Sequence, residues 1–291
     1  MIKIVTHSGG FHADDVFAVA AFQLLLGKEN IEVVRTRDEA IIATAGYVVD
    51  VGGVYDHKAQ RYDHHQIGAP VRDNGIPYAG FGLVWRHYGE EICGSKEVAE
   101  YIEEKLCLQV DAGDNGVSLH EVNDYNVKTT SLDGFIKEWQ AAPDSEEVMD
   151  TQFEKVVEVI SEYLSRKIAA GKRKVLDRAL AKELYDVALD KRIIVSETGL
   201  SSKHFIEFEE VKVVIFPNHP DNGSGWLVVA VPESEKNFGS KALFPIGWAG
   251  LTGNELVAVS GIAGARFCHR NRHLVVFEDK ESALQAASFA T

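Results

Sequence analysis

Val48-Val49-Asp50-Val51-Gly52-Gly53-Val54-Tyr55-Asp56-His57-Lys58-Ala59-Gln60-Arg61-Tyr62-Asp63-His64-His65-Gln66 holds three aspartates and three histidines. Asp50 directly follows an apolar run, and Asp63, His64 and His65 are contiguous. Imidazole and carboxylate at this density suit divalent first-row metal ions. Adjacent histidines on an extended segment point to opposite sides, so one can bind metal while the other faces a substrate.

Upstream, an apolar strand over residues 2–6 runs into Thr6-His7-Ser8-Gly9-Gly10-Phe11-His12-Ala13-Asp14-Asp15 and then a helical run over 16–26, for which Asp14 or Asp15 would be the N-cap. A strand over 31–36, a short helix from Asp38 and a strand over 47–51 follow. Strands alternating with helices predict an α/β fold: a parallel sheet with flanking helices, whose ligand groups gather at the carboxyl ends of strands. Such a sheet brings His7 and Asp50 together.

Downstream, residues 80–92 and 95–108 read as helices, and Gln109-Val110-Asp111-Ala112-Gly113-Asp114-Asn115-Gly116 reads as a loop or kink because glycines interrupt it. Pro143-Asp144-Ser145 reads as a helix start, and the pattern stays helical over 146–191. Strands are expected over 193–196, 205–208, 211–216, 226–231, 264–269 and 274–277. A short helix over 255–260 and a closing helix over 280–290 complete a smaller α+β part. The expected division is residues 1–190, a metal-binding catalytic domain, linked by long helices to residues 191–291, a substrate-binding domain.

At 291 residues the chain exceeds a usual single core. Hydrophobic residues at 45% and charged residues at 25% match an ordinary globular protein, and no run is apolar enough to span a bilayer, so a cytoplasmic protein is expected. Three widely spaced cysteines exclude a disulfide framework and a zinc ribbon. The net charge of -14 argues against a broad basic nucleic-acid face. The acidity lies in residues 1–190, with 20 Lys+Arg against 33 Asp+Glu, while 191–291 is nearly balanced at 10 against 11. Carboxylates that hold cations would reverse that local field.

Four clusters stand out: His7 with His12 and Asp14, then Asp50, then Asp63-His64-His65, then Asp111 with Asp114. Two metal ions a few ångströms apart need about this many nitrogen and oxygen ligands, one carboxylate bridging them. Alone, each cluster is ordinary strand-end or surface polarity. Trp226, Trp248, Phe238 and Phe244 are candidates for stacking on bases, with core packing as the alternative and the expected one for Trp226. Lys172-Arg173-Lys174 reads as a solvated helix face.

These stretches, with Arg61-Tyr62-Asp63-His64-His65-Gln66, Trp248-Ala249-Gly250-Leu251, Ser260-Gly261-Ile262 and Phe267-Cys268-His269, resemble the DHH phosphoesterase superfamily. Within it, the chain is similar nearly end to end to the melanocyte-proliferating-gene family of metal-dependent exonucleases. The resemblance implies that His7, His12 and Asp50 hold one ion and that Asp14, Asp50, His64 and Asp111 hold the other. His12 stands where the wider superfamily usually has aspartate, which moves the expected metal towards manganese, with iron, zinc or magnesium as alternatives. His57 departs from the family pattern and is read as non-ligating.

The implied activity is phosphodiester hydrolysis, as a 3'-5' exonuclease on RNA or single-stranded nucleic acid, with His65 the donor to phosphate and Asp63 orienting an imidazole. His269, Arg266, Arg270 and Arg272 are expected to contact substrate, or else to be alternate exposed residues of a strand. Two other readings stay open: hydrolysis of a small substrate such as pyrophosphate, a cyclic dinucleotide or a short oligonucleotide, and a non-catalytic metal-binding regulatory protein. A homodimer is left open, and no membrane partner is expected.

Overall fold

The computed structural model describes residues 1–119, 125, 127, 129–142, 148–219, 221, 223–234 and 239–290. The chain forms two compact units, Met1–Arg173 and Lys174–Thr291. Their division falls inside a single long helix.

The first unit runs β1 (Ile2–Thr6), α1 (Ala13–Leu26), β2 (Ile31–Arg35), α2 (Glu39–Thr44), β3 (Tyr47–Val49), β4 (Tyr55–Asp56), β5 (Arg61–Tyr62), α3 (Gly80–Cys93), α4 (Lys96–Ile102), α5 (Leu108–Asp114), α6 (Leu132–Lys137) and α7 (Met149–Val187). Its sheet has the order β2-β1-β3-β5-β4. β1, β2, β3 and β5 are parallel and β4 closes the edge antiparallel. Ile4, Val5, Val48 and Val49 are all fully buried, the signature of strands covered on both faces. α1 is buried continuously from Ala13 to Phe22, which is why its apolar residues show no stripe. Phe17 meets Phe81 of α3 at 5.1 Å, and Phe22 meets Tyr47 of β3 at 4.7 Å. Each such phenylalanine contributes about 1.5–3 kcal/mol by leaving water.

The parallel order puts His7, Asp50 and Asp63, which follow β1, β3 and β5, at one edge. The hairpin of β4 and β5 that leads into Asp63 is fastened to α3. Tyr55 Oη lies 2.8 Å from His87 Nε2, Tyr62 Oη bonds Tyr88 Oη at 3.0 Å, and the His57 and His87 rings stack 3.7 Å apart. His57 is thus a packing residue within hydrogen-bond reach of Tyr62 Oη.

Several local expectations are corrected. His12, not Asp14 or Asp15, is the N-cap of α1, and Asp15 at the third helical position accepts the His12 N–H at 3.0 Å. Residues 108–114 form a helix where a loop or a kink was expected over 109–116, because a turn of π-helix over Glu103–Cys107 joins α4 to α5 and the chain stays helical through Gly113. Arg72 locks this region. Its buried guanidinium lies over Tyr78 at 3.7 Å, donates to Glu103 at 2.6 Å and stands 2.7 Å from Asp111 Oδ2. Asp111 Oδ1 accepts the Gly82 N–H at 3.1 Å, and a Cβ on Gly82 would sit 1.7 Å from Asp111 Oδ2. Only glycine permits that approach.

The second unit follows α7 with β6 (Ile193–Val195), β7 (Val213–Pro217), β8 (Trp226–Ala230), α8 (Gly253–Ser260), β9 (Ala265–Cys268), β10 (Leu274–Phe277) and α9 (Lys280–Ala287). Its sheet order is β6-β7-β8-β10-β9, antiparallel except for the β6–β7 pair. The chain is therefore a mixed α/β protein with two five-stranded sheets. No strand forms over 205–208, where a 3-10 turn, Ser202–Phe205, runs into further turn and the Lys241 ammonium donates to the carbonyls of Phe205, Ile206 and Phe208. Those carbonyls are spent on a cation and not on a ladder. Trp248 and Phe244 are core residues of this unit, stacked 5.8 Å apart, and Trp226 packs against the same core. Phe238 and the helix start at 143–145 lie outside the described residues.

Two stability measurements follow. Arg72→Met leaves Asp111 buried without its cation and is expected to cost about 3–5 kcal/mol in urea denaturation; a cost below about 1 kcal/mol contradicts the lock. His87 is held down to about 4, first by burial and then by the His57 and Arg86 charges. The unfolded chain then binds more protons between its ordinary value and about 4, so this stabilisation is complete above about pH 6.5 and is lost as pH falls through that window. His87→Gln should flatten that limb of the stability profile.

Candidate metal centre

Asp50 stands one residue beyond β3 with φ 54°, in the left-handed region that aspartate tolerates better than most residues. This turn carries its carboxylate between two imidazoles: Oδ2 lies 3.3 Å from His7 Nε2 and Oδ1 lies 3.3 Å from His64 Nε2. The two oxygens of one carboxylate therefore face different ligand groups. Among the described residues, three sets of candidate ligand atoms lie within 4.8 Å of one another: His7, His12 and Asp50; Asp50, His64 and His65; and His12, Asp14 and Asp114.

The rest of the geometry follows from α1 and α5. Asp14, in the first turn of α1, is fully buried, accepts the Gly80 N–H at 3.2 Å and stands 3.8 Å from His64 Nε2. A Cβ on Gly80 would lie 3.1 Å from the same oxygen, so this glycine lets α3 begin against the site. Asp15 Oδ2 reaches His7 Nε2 at 3.2 Å. Asp114, at the end of α5, approaches His64 Nε2 to 3.2 Å, while Asp111 one turn earlier faces Arg72. Of the two aspartates in that cluster, the structure brings Asp114 to the histidines and places Asp111 in the supporting ion pair. The resemblance implied Asp111 as the ligand; both lie on one side of a helix at a spacing of three, and here it is Asp114 that approaches His64.

Asp63 is nearly buried, and every contact it makes is inward. Oδ1 accepts the backbone N–H of His64 at 2.7 Å and of His65 at 3.0 Å and stands 2.8 Å from His65 Nδ1, and Oδ2 accepts the Gly53 N–H at 2.6 Å. His64 and His65 do not point to opposite sides as neighbours on an extended strand would: β5 ends at Tyr62, the two rings lie 4.4 Å apart and His65 Nδ1 stands 3.5 Å from Asp50 Oδ1, although the side chain of His64 is 7% exposed and that of His65 is 64% exposed. The groups surround a cavity of about 810 Å³, also lined by Arg37, Asn115, Asp133 and Lys137.

The electrostatics are those of a site crowded with acid. Burial would lower His7, but the carboxylates of Asp15 and Asp50 outweigh it and raise it to about 10. His64 is raised for the same reason, Asp50 doing most. Asp14 is driven far up by burial and by the neighbouring carboxylates, and Asp114 is raised chiefly by burial. Asp50 goes the other way because its two histidines overcome its burial. At the supporting pair the directions oppose: burial pushes Asp111 up to about 7 although Arg72 pulls it down, while Arg72 is held more firmly charged. Among the described residues, Asp14 Oδ1, Asp15 Oδ2, Asp50 Oδ1 and His64 Nε2 are buried without a hydrogen bond. Buried polar atoms in that number without hydrogen-bond partners are costly, and divalent cations are the groups that fit such a set of carboxylates and imidazole.

In the second unit, only Arg266 of the three expected arginines lies on β9; it donates to the Ser224 carbonyl and stands 3.6 Å from Glu278. Arg270 and Arg272 belong to the turn into β10, where Arg272 has φ 59° and donates to the Phe244 carbonyl at 3.0 Å. His269 in the same turn lies against His273 at 4.4 Å. Alternation along one exposed strand therefore does not describe them. Among the described residues, no helix is long and apolar enough to cross a membrane.

The profile MYG1_exonuc, described as an uncharacterised protein family (UPF0160), matches residues 3–290. The chain is 30% identical to a MYG1 protein of Chlamydia pneumoniae, over 98% of this chain and 94% of that one. It is 29% identical to a MYG1 exonuclease of Mus musculus, over 98% and 83% respectively. Among solved structures, a pGpG-specific phosphodiesterase, PggH, of Vibrio cholerae superposes with a TM-score of 0.36 at 12% identity, over 99% of this chain and 97% of the other, which is too distant to define the fold. The match along nearly the whole chain places this protein in the MYG1 exonuclease family.

Proposed function

We propose that the chain is a metal-dependent phosphodiesterase of the DHH kind, an exonuclease acting on single-stranded nucleic acid, RNA foremost. The observation that carries this reading is the Asp50 carboxylate, one oxygen facing His7 and the other His64, among buried acceptors that lack donors. His7, His12 and Asp50 would hold one ion. Asp14, Asp50, His64 and Asp114 would hold the second, Asp114 taking the place the resemblance gave to Asp111, whose carboxylate is engaged by Arg72. Two divalent ions there would supply a water of lowered pKa and offset charge at phosphorus, and a donor set of imidazole and carboxylate suits manganese first.

The chain's own groups do the positioning. Asp63 Oδ1 already accepts two backbone N–H groups, so His65 donates Nδ1–H to it and presents Nε2 to the substrate. When it is protonated on both nitrogens, the exposed ring can donate Nε2–H to a phosphoryl oxygen. His269, Arg266, Arg270 and Arg272 remain proposed substrate contacts. The cavity of about 810 Å³ is of the size that encloses small ligands and, with the acid excess of the chain, favours short oligonucleotides over long strands.

With manganese, the wild type should shorten a labelled single-stranded oligonucleotide, and no shortening under any divalent metal would sink the reading in favour of a non-catalytic metal binder. Asp50→Asn should abolish uptake of both ions by metal analysis, whereas His65→Ala should retain them and lose turnover by about 100-fold, the scale of one general acid–base group. Loss of metal in the His65 variant would show its role to be wrong. Because His7 stands near 10 without metal, it must give up its proton to ligate. Metal binding should therefore release protons and weaken as pH falls, which calorimetry in buffers of different ionisation enthalpy reads directly; binding independent of pH would remove His7 from the ligand set.

A further inference from the structure

Two arginines flank Thr36 at the carboxyl end of β2, and the structure treats them differently. Arg35 is consumed by the fold: it donates to Asp150 at 2.7 Å and to the Gly9 carbonyl at 2.6 Å, and its guanidinium lies 4.6 Å from the centre of the Phe153 ring. Arg37 is exposed and has no ion pair, hydrogen bond or ring contact with any described residue. Its backbone is nevertheless fixed on both sides. The Thr36 N–H donates to the Thr6 carbonyl at 2.8 Å, the Asp38 N–H to Thr36 Oγ1 at 3.1 Å, and Asp38 caps α2 by accepting the Ala40 N–H at 2.8 Å. A rigid stem thus carries an uncommitted guanidinium into the lining of the cavity that holds His7, His12, Asp50, His64 and His65. The other strong cation of that lining, Lys137, is paired with Asp133 at 2.7 Å.

We propose that Arg37 binds a second, non-scissile phosphate of the substrate, so that the site selects phosphodiesters carrying another phosphate one nucleotide from the bond that is cut. This rests on the phosphodiesterase reading above. In the sheet order, β2 is the outer neighbour of β1, and β5 lies beyond β3. Arg37 and His65 therefore flank the Asp50 centre from opposite sides, Arg37 about two strand spacings, roughly 10 Å, from Asp50. Successive phosphates of an extended single strand, with the reach of the arginine stem, span that separation. A planar guanidinium suits two phosphate oxygens at once, and nothing in the fold competes for it.

The test is a binding measurement with manganese present, comparing adenosine 3',5'-bisphosphate with the two adenosine monophosphates on wild type, Arg37→Ala and Arg37→Lys. The wild type should prefer the bisphosphate by roughly tenfold to 100-fold, the range of one charge-assisted pair. Arg37→Ala should lose that preference while taking up manganese as the wild type does, and Arg37→Lys should restore part of it. A preference undiminished in Arg37→Ala, or no preference in the wild type, overturns the assignment. Failure of the wild type to take up manganese at all instead overturns the phosphodiesterase reading, and this inference with it.

Discussion

Everything in the first unit is arranged around the contact of one carboxylate with two imidazoles at the edge of a parallel sheet. Asp14, Asp15, Asp50, Asp63 and Asp111 are all buried, and carboxylates withdrawn from water at such density are tolerated only where each meets a donor or a cation. The fold meets part of that demand itself. Asp63 is satisfied by backbone N–H groups, Asp111 by the Gly82 N–H and its ion pair with Arg72, and Asp15 in part by the His12 N–H, with the His7 ring 3.2 Å from its other oxygen. At this site the atoms left without a hydrogen bond are on Asp14, Asp15, Asp50 and His64.

The supporting structure is correspondingly specialised. Gly80 and Gly82 open α3: a Cβ at Gly82 would overlap Asp111 Oδ2, and one at Gly80 would crowd Asp14 Oδ2. The π-helical turn before α5 and the ion pair at Arg72 hold Asp114 one turn from an aspartate with a different task. These parts set where the candidate ligand atoms converge.

Much of this was legible in the sequence. β1, β2 and β3, helix α3 and the convergence of His7 with Asp50 follow from apolar periodicity and the rule that parallel sheets gather polar groups at their carboxyl ends. The opposite placement expected of His64 and His65 from a pleat is not what forms, because β5 ends at Tyr62 and both rings approach Asp50. What escaped depends on tertiary contacts. Glycine at 113 suggested a break, yet the buried Arg72–Asp111 pair and the π-turn keep α5 helical through Asp114. The N-cap of α1 was assigned to an aspartate on propensity, but both aspartates are drawn inward and His12 takes the position. Residues 205–208 have strand-like composition, and three carbonyls gathered on Lys241 prevent a ladder there. Arg37 carried no signal, because what distinguishes it from Arg35 is the absence of a neighbour.

The left-handed backbone at Asp50 narrows the alphabet available to evolution at that position. With φ at 54°, a branched or bulky residue pays a steric penalty before any chemistry is considered, leaving aspartate, asparagine and glycine as the comfortable occupants. Asparagine and aspartate are one nucleotide apart in the genetic code and nearly equal in shape. A lineage could therefore exchange them without disturbing the fold and keep a well-formed protein that had lost the charge at its centre. Silencing of the site and loss of the structure are separable events here, and the first is the shorter mutational step.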